Sequence, residues 1–407
     1  MGGARKIIVI GGGPAGTWAA IAARKQDPSA EVTLLSDEHH EPYEKPPLSK
    51  GVLTGKAKFD DALIAGPKGV AGHGVVFERN ARCTAIDRAA RTVTAGGRTW
   101  PYDTLVIATG STVRVLPQLP LGMPRVHYLR TVAHAHALKA ELGQAKRLVV
   151  VGAGLIGLEV ASSARALGVE TAVLEVAPRI LARVTDEETG ARIHRRHAEH
   201  GVDIRLGTGL SGVETLADGR IGIVAGGETI AADLVVVGAG AVADTKLAAE
   251  AGLEIDDGIV VDDCGRTSDP NIFAAGDAVR FPGPHGPVRL EDWRHAQDHG
   301  TVAGRNAAGA SESYRPVPSF WSEQYDLYLQ GVGWVPPQRG RYLHRPLPGN
   351  ASIVFQTEGA NLIYALAINA QREIATARRL IERRIPVNEA DLLDPGKPLQ
   401  DLLKAKA

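Results

Sequence analysis

Twice in 407 residues, a short apolar run rich in β-branched side chains leads into a Gly-x-Gly-x-x-Gly turn, a helical stretch and a second apolar run followed by an acid. No other feature of the chain constrains its fold as tightly. The first copy runs from Lys6–Ile10 through Gly11-Gly12-Gly13-Pro14-Ala15-Gly16 and an alanine-rich helix, Ala15 to Lys25, to a strand over Glu31 to Leu35. Asp37 lies just beyond it, with Glu38 a near alternative. The second copy runs from Arg147–Val151 through Gly152-Ala153-Gly154-Leu155-Ile156-Gly157 and a helix to about Leu167, to a strand over Glu170 to Leu174 closed by Glu175. In each copy the first glycine (Gly11, Gly152) permits a tight turn and the second (Gly13, Gly154) lets the backbone approach a pyrophosphate. The third (Gly16, Gly157) lets the helix close on the strand. The helix N-terminus then faces the phosphates with unpaired N–H groups, and Asp37 or Glu175 accepts a ribose hydroxyl. One glycine turn alone serves plain strand-to-helix packing equally well. Two, each inside a complete strand–turn–helix–strand unit, indicate two Rossmann units and two dinucleotide sites.

A carboxylate at Glu175 repels a ribose 2′-phosphate, which favours NADH over NADPH. Arg179 and Arg183 follow it. Arg179 is read as flanking a helix start, whereas Arg183 stays open between that role and pairing with a phosphate. The run Thr104-Leu105-Val106-Ile107-Ala108-Thr109-Gly110 reads as a strand ending in a tight turn. Turns at Asp218-Gly219 and Gly226-Gly227 indicate a small antiparallel meander before a buried strand, Leu234 to Val237. A helix from Asp292 to Asn306 precedes a proline-rich stretch, Tyr314 to Pro318, that marks a boundary. Beyond it lies a strand-rich tail with a helix near Gln371 to Arg383.

Composition narrows the partners. The 46 basic and 46 acidic side chains cancel, so nucleic acid and anionic membranes lack the basic excess they call for, and any charged docking surface is a local patch. Hydrophobic residues make up 44% and charged ones 23%, enough to fill several cores and to exclude general disorder. Cys83 and Cys264 are the only cysteines, which excludes a disulfide scaffold and any Cys-x-x-Cys site and suits a reducing cytoplasm. The apolar stretch Leu148 to Leu158 is too short to span a bilayer. Arg5-Lys6 before an apolar run superficially resembles a signal peptide, but the strand–turn–helix reading fits better. His39-His40 and the trio His194, His197 and His200 lack completing ligands, so no metal is expected, and the trio reads as a solvated helix face.

Four further motifs carry a resemblance: Pro42-Tyr43-Glu44-Lys45-Pro46-Pro47-Leu48-Ser49-Lys50, Gly154-Leu155-Ile156-Gly157-Leu158-Glu159, Ala274-Ala275-Gly276-Asp277 and Phe320-Trp321-Ser322. In that order the chain resembles the oxygenase-coupled NADH:ferredoxin reductases, of the putidaredoxin reductase and biphenyl and toluene dioxygenase reductase type. The resemblance implies a glutathione-reductase-like α/β fold with two Rossmann-type dinucleotide-binding domains and a C-terminal α+β interface domain. Residues 1–111 and 240–313 would form a discontinuous FAD domain, 112–239 an inserted NAD domain and 314–407 the interface domain. It further implies that Ala108, Thr109 and Gly110 lie along FAD and that Asp277 bonds its ribityl and pyrophosphate region. Lys50 would stand near the flavin ring, with Glu159 pairing with it and meeting the nicotinamide. Trp321 would pack by the isoalloxazine, and Trp293 would pass near it. Lys45 replaces a more usual arginine at FAD, and Ile156 and Gly240 join the NAD-binding set.

The implied activity is hydride transfer from NADH to FAD, followed by delivery of single electrons to a small 2Fe–2S ferredoxin feeding a Rieske dioxygenase or a cytochrome P450. Flavin NADH oxidases and disulfide or peroxide reductases share the layout, but the thiol reductases need a reactive cysteine where this chain has Ser49 and Lys50. A signalling flavoprotein similar to apoptosis-inducing factor shares it too. The absence of a targeting segment and of a basic nucleic-acid surface argues against that alternative.

Overall fold

β-branched and leucine side chains bounded by glycine turns favour strands buried on both faces, and the parallel sheets are built from such runs. A computed structural model describes residues 3–335 and 340–404. The chain packs as two compact units, one of Met1–Lys45, Phe59–Thr112 and Ala241–Pro316, the other of Pro46–Lys58, Val113–Gly240 and Val317–Ala407.

In the first unit, strand Lys6–Ile10 is the middle of a five-stranded sheet ordered Ile272–Ala274, Thr104–Ile107, Lys6–Ile10, Glu31–Leu35, Val76–Glu78. All four pairings are parallel. An antiparallel meander, Cys83–Asp87, Thr92–Ala95 and Arg98–Pro101, intervenes between the outer strand Val76–Glu78 and Thr104–Ile107. Helix Pro14–Gln26 packs against helix Trp293–Ala307 at very short range. A Cβ on Gly300 would lie 2.2 Å from the Ala15 carbonyl oxygen, and one on Gly304 would lie 2.1 Å from that of Ala19. Asp292 caps the later helix by accepting the His295 N–H at 2.8 Å.

The second unit repeats the plan. Its parallel sheet is ordered Val202–Arg205, Glu170–Leu174, Arg147–Val151, Leu234–Val237, Val126–Tyr128, again with the glycine-turn strand in the middle. A meander, Leu210–Thr215, Ile221–Ala225 and Glu228–Ala232, again follows the outer strand. The chain enters and leaves this segment through the paired short strands Ser111–Val113 and Ala241–Ala243. Beyond Pro318 a five-stranded antiparallel sheet forms, ordered Ser319–Gln324, Leu327–Gly333, Asn361–Ile368, Ser352–Glu358, Leu343–Pro346. Helix Gln371–Glu382 buries Ile374, Ala377 and Leu380 against it. No helix among the described residues is long and apolar enough to cross a membrane.

The compact units number two where the sequence suggested three domains, because the C-terminal sheet shares a core with the second Rossmann layer. Leu327, Leu329, Tyr364 and Leu366 pack in one cluster with Leu148, Val150, Leu158 and Val173. Residues 46–58 also differ from expectation, belonging to the second unit rather than to the 1–111 segment. Fully buried Leu53 sits in that same cluster.

Because neither helix can retreat from Gly304 without leaving its sheet, Gly304→Ala should destabilise the first unit by about 1–3 kcal/mol, the usual cost of overpacking. Thermal unfolding followed by circular dichroism would register this as a lowered midpoint, and an unchanged midpoint would show that the helix pair is loosely packed.

Candidate functional site

Both glycine turns build the same cradle. Gly11 (φ +109°) and Gly152 (φ +110°) adopt backbone that side chains disfavour, and a Cβ there would fall 2.2 Å from the Ala108 oxygen or 2.5 Å from the Gly238 oxygen. A Cβ on Gly16 would meet the Gly11 carbonyl oxygen at 1.9 Å, and one on Gly157 the Gly152 oxygen at 2.1 Å. The middle glycines differ: around Gly13 and Gly154 a Cβ would meet nothing within 4 Å. There the glycine leaves room for a group the chain does not supply. Helices Pro14–Gln26 and Leu155–Ala166 have neither a side-chain N-cap nor an acid in the first turn. By contrast, Thr131, Asp186 and Asp292 cap the helices that follow them. Uncapped N–H donors and an open cradle fit the phosphates of a dinucleotide in each unit.

The first cradle opens where the strand order reverses between Lys6–Ile10 and Thr104–Ile107, the usual ligand crevice of such sheets. Ile10, Ile107 and Ala274 stand in register at that end of the sheet. Ala108, Thr109 and Gly110 therefore leave it beside Gly11, and Asp277 follows two residues after the adjoining Ala275. Thr109 Oγ1 donates to the Asp244 carbonyl at 2.6 Å, and Gly110 has φ +75°. Asp277 Oδ2 accepts from the Ser111 hydroxyl at 2.9 Å. Trp293 Nε1 donates to the Glu44 carboxylate, and burial raises the affinity of Glu44 for its proton. Lys45 Nζ lies 4.9 Å from the Tyr43 ring centroid, and burial pushes the Asp292 carboxyl up to about 7.

At the second strand of each unit the register is informative. Ile10 pairs with Leu35 and Val151 with Leu174, so the residue equivalent to Glu175 is Ser36. Asp37 comes one position later and is exposed, while Glu38 accepts from the Tyr43 hydroxyl at 2.7 Å. The strand register thus places Ser36, whose Oγ accepts from the Glu38 N–H at 3.2 Å, at the position that Glu175 holds in the second unit.

In the second unit Glu175 is locked at the cradle mouth, accepting from the Ala153 N–H at 2.7 Å and the Ala177 N–H at 2.8 Å. Ile156, within the glycine turn, and Val176, the residue after Glu175, both expose apolar side chains. Gly240 (φ +100°) follows strand Leu234–Val237, and its carbonyl accepts from the Arg114 N–H at 3.0 Å. Arg179 donates to Thr185 Oγ1 at 3.0 Å and to the Ala182 carbonyl at 2.9 Å, so it ties its own loop together. Arg183 is exposed.

The same unit holds a buried carboxylate. Glu159, on helix Leu155–Ala166, is 2% exposed, and its Oε2 accepts from Lys50 Nζ at 2.8 Å and from the Ser49 hydroxyl at 2.5 Å. Its Oε1 accepts from the Ser322 hydroxyl at 2.6 Å. Ser163 donates to the Ser49 carbonyl at 2.7 Å, fixing the loop that carries Ser49 and Lys50. Trp321, next to Ser322, is half-buried and pairs across the sheet with Gln330.

One expectation is corrected here. His197 is not on a solvated face: it is fully buried, bonded to Gln324, and its imidazole is pulled down to about 4, chiefly by burial. Its helix turns that residue inward against strand Ser319–Gln324, a partner far away in sequence. Cys83 and Cys264 are free, with burial pushing the Cys83 thiol up to about 12 and raising that of Cys264. The only carboxylate, imidazole and thiol grouping with metal-like spacing among the described residues is Asp262, Asp263 and Cys264.

The chain is similar to known sequence families and solved structures along nearly its whole length. The pattern described as pyridine nucleotide-disulphide oxidoreductase matches residues 5–300, and a reductase C-terminal pattern matches residues 319–403. Rhodocoxin reductase of Rhodococcus erythropolis is 36% identical over 393 residues, covering 95% of this chain and 92% of that protein. The ferredoxin–NAD(+) reductase component of the p-cumate 2,3-dioxygenase system of Pseudomonas putida is 36% identical, covering 97% of this chain and 98% of its own. The crystal structure of the covalent putidaredoxin reductase–putidaredoxin complex superposes with a TM-score of 0.94 at 32% identity, over 100% of both chains.

Removing Lys50 alone strands the Glu159 carboxylate in the interior with only hydroxyl partners. Lys50→Met should therefore cost stability, by about 3 kcal/mol for a broken buried pair, and adding Glu159→Gln should recover part of the loss. Denaturation of both variants tests this, and equal stability of the single and double variants would show that the two groups are not coupled.

Proposed function

Because this chain belongs to the pyridine nucleotide-disulphide oxidoreductase family, we propose that it is an FAD-dependent NADH:ferredoxin reductase of an oxygenase system. The observation that carries this reading is the pair of open, uncapped glycine cradles in a chain that matches ferredoxin reductases along nearly its whole length. When bound, FAD supplies the redox chemistry, accepting a hydride from NADH and returning electrons one at a time. The protein's own part is to bind, orient and balance charge.

Gly11, Gly13 and Gly16 with the N-terminus of helix Pro14–Gln26 would hold the FAD pyrophosphate, with Ala108, Thr109, Gly110 and Asp277 lining the same sheet end. Asp37, Lys45 and Trp293 complete that set, and Ser36 joins it by register with Glu175. Gly152, Gly154, Ile156, Gly157 and Gly240 would hold NADH, with Glu175 accepting a ribose hydroxyl from the position its two backbone bonds define. Arg179 is committed to its loop, which leaves Glu175 to set the preference for NADH, with exposed Arg183 as a cationic rival in the same segment. Lys50 and Glu159 are assigned to charge balance in the hydride step, where a fixed cation favours the anionic product. Trp321 is assigned to aromatic packing at the reacting rings. No general base is required.

A thiol mechanism is disfavoured, since the segment after Pro42 carries Ser49 and Lys50, and the Cys83 thiol is held protonated by burial. The electrons go to a small iron–sulfur ferredoxin and from there to a terminal oxygenase, in a cytoplasmic setting. A ferredoxin is usually acidic and docks through a local basic patch, so its reduction depends on salt.

Glu175→Ala should narrow the NADH-to-NADPH ratio of kcat/KM by about one to two decades, the worth of one lost hydrogen bond and one charge repulsion. A wild type that uses both cofactors equally would instead give the decisive role to Arg183. NADH-driven reduction of a cognate ferredoxin should fall as ionic strength rises, while ferricyanide reduction keeps a different salt profile. If ferredoxins from the host are inert and oxygen, peroxide or a quinone turns over rapidly, the ferredoxin assignment fails although both nucleotide sites stand.

A further inference from the structure

Glu159 Oε1, the oxygen that Lys50 leaves free, ends a buried chain of hydrogen bonds that starts at His197. His197 Nε2 lies 2.8 Å from Gln324 Oε1, Gln324 Nε2 donates to Ser322 Oγ at 3.0 Å, and Ser322 donates to Glu159 Oε1 at 2.6 Å. His197, Gln324, Ser322 and Glu159 are each at most 2% exposed, so water cannot substitute for a missing partner.

Donor and acceptor chemistry allows one arrangement. The carboxylate only accepts, so Ser322 spends its single hydrogen there and must accept from Gln324. The amide then points its NH2 at Ser322 and its oxygen at His197. A carbonyl oxygen only accepts, so His197 Nε2 carries a hydrogen. Nδ1 is left as an acceptor, facing the Tyr325 hydroxyl at 3.4 Å. Every hydrogen along the chain therefore points toward Glu159. Burial keeps both outer groups in the required state, holding the imidazole neutral and pushing the Tyr325 hydroxyl up to about 12.

The geometry points to His197, Gln324 and Ser322 as positioning residues that fix the Glu159 carboxylate, leaving Oε2 to Lys50 and Ser49. None of the three needs to touch substrate. The relay joins three segments of the second unit: helix Glu187–Glu199, strand Ser319–Gln324 and helix Leu155–Ala166. The charged and titratable groups at its outer end are His194, Arg196 and His200 beside His197, Arg165 on helix Leu155–Ala166, and Tyr325 and Asp326 after the strand. At its inner end Lys50 pairs with the Glu159 carboxylate. The inference rests on the assignment of Lys50 and Glu159 to the hydride step.

Two measurements test it on the FAD-loaded enzyme. In protein labelled with ¹⁵N-histidine, the His197 ring, assigned by its absence from His197→Gln, should show the neutral Nε2–H tautomer without titration from about pH 5.5 to 8. An Nδ1–H tautomer, or titration near the ordinary histidine value, overturns the relay whatever the enzyme's activity. In stopped-flow flavin reduction by NADH, Ser322→Ala and His197→Leu should slow hydride transfer by about tenfold with the NADH dissociation constant within about twofold of wild type. His197→Gln, which keeps a donor where Nε2 stands, should recover most of the rate, and equal loss in His197→Leu and His197→Gln overturns the positioning role. Lys50→Met separates the levels. If it slows reduction and Ser322→Ala does not, the relay alone fails. If Lys50→Met leaves the rate unchanged, the underlying assignment fails and the relay's role with it.

Discussion

A helix that begins without a cap leaves peptide N–H groups unpaired, and in this chain that deficit is built twice and kept open. Helices Pro14–Gln26 and Leu155–Ala166 start at glycines with no side chain to return a hydrogen bond and no acid in the first turn. The surrounding structure enforces the arrangement, because backbone carbonyls stand where side chains on Gly11, Gly16, Gly152 and Gly157 would have to go. In each unit the sheet order and the strand-end turns hold the N-terminus at the end of the middle strand, and in the first unit the tight contact of helix Pro14–Gln26 with helix Trp293–Ala307 adds to this. An anion held there would be bound by the backbone, with side chains left to tune which nucleotide is accepted.

The second organising element is a charge placed where charge is costly. Glu159 is buried, and its carboxylate is satisfied by one ammonium and two hydroxyls drawn from segments far apart in sequence. Removing such a group from water costs several kcal/mol unless it is fully partnered, so the carboxylate selects the conformation of everything that touches it. The loop with Ser49 and Lys50, the helix with Ser163 and the first strand of the C-terminal sheet are each held by a bond to Glu159 or to its neighbours. This explains why residues 46–58 and the C-terminal sheet belong to the same compact unit as the second Rossmann layer.

What was legible in the sequence was local. The glycine turns, the strands before and after them, the second meander and the helix at 371–382 are encoded within windows of 20–30 residues by spacing and turn chemistry, and these stand where the sequence puts them. The equivalence of Ser36 with Glu175 was not legible, because a shift of one residue at a strand end depends on register against another strand. Burial of His197 was equally hidden: its helix is strongly polar, and the partner that makes an inward imidazole tolerable, Gln324, lies 127 residues away. Lys50 and Glu159 are 109 residues apart, and only the motifs around them, not any periodicity, set them side by side in the reading.

The bond between the Arg114 N–H and the Gly240 carbonyl has a consequence for chain architecture. It closes the segment from 114 to 240 at its neck, next to the paired strands Ser111–Val113 and Ala241–Ala243. A segment whose two ends already meet adds to its host only the entropy of one closed loop, and that cost grows with the logarithm of length rather than with length itself. A whole nucleotide-binding layer can therefore be carried between two adjacent strands as though it were a long hairpin loop. Its outward turns can lengthen or shorten in evolution while that neck stays closed, whereas the face that shares a core with Leu53 and the C-terminal sheet is held in place by them.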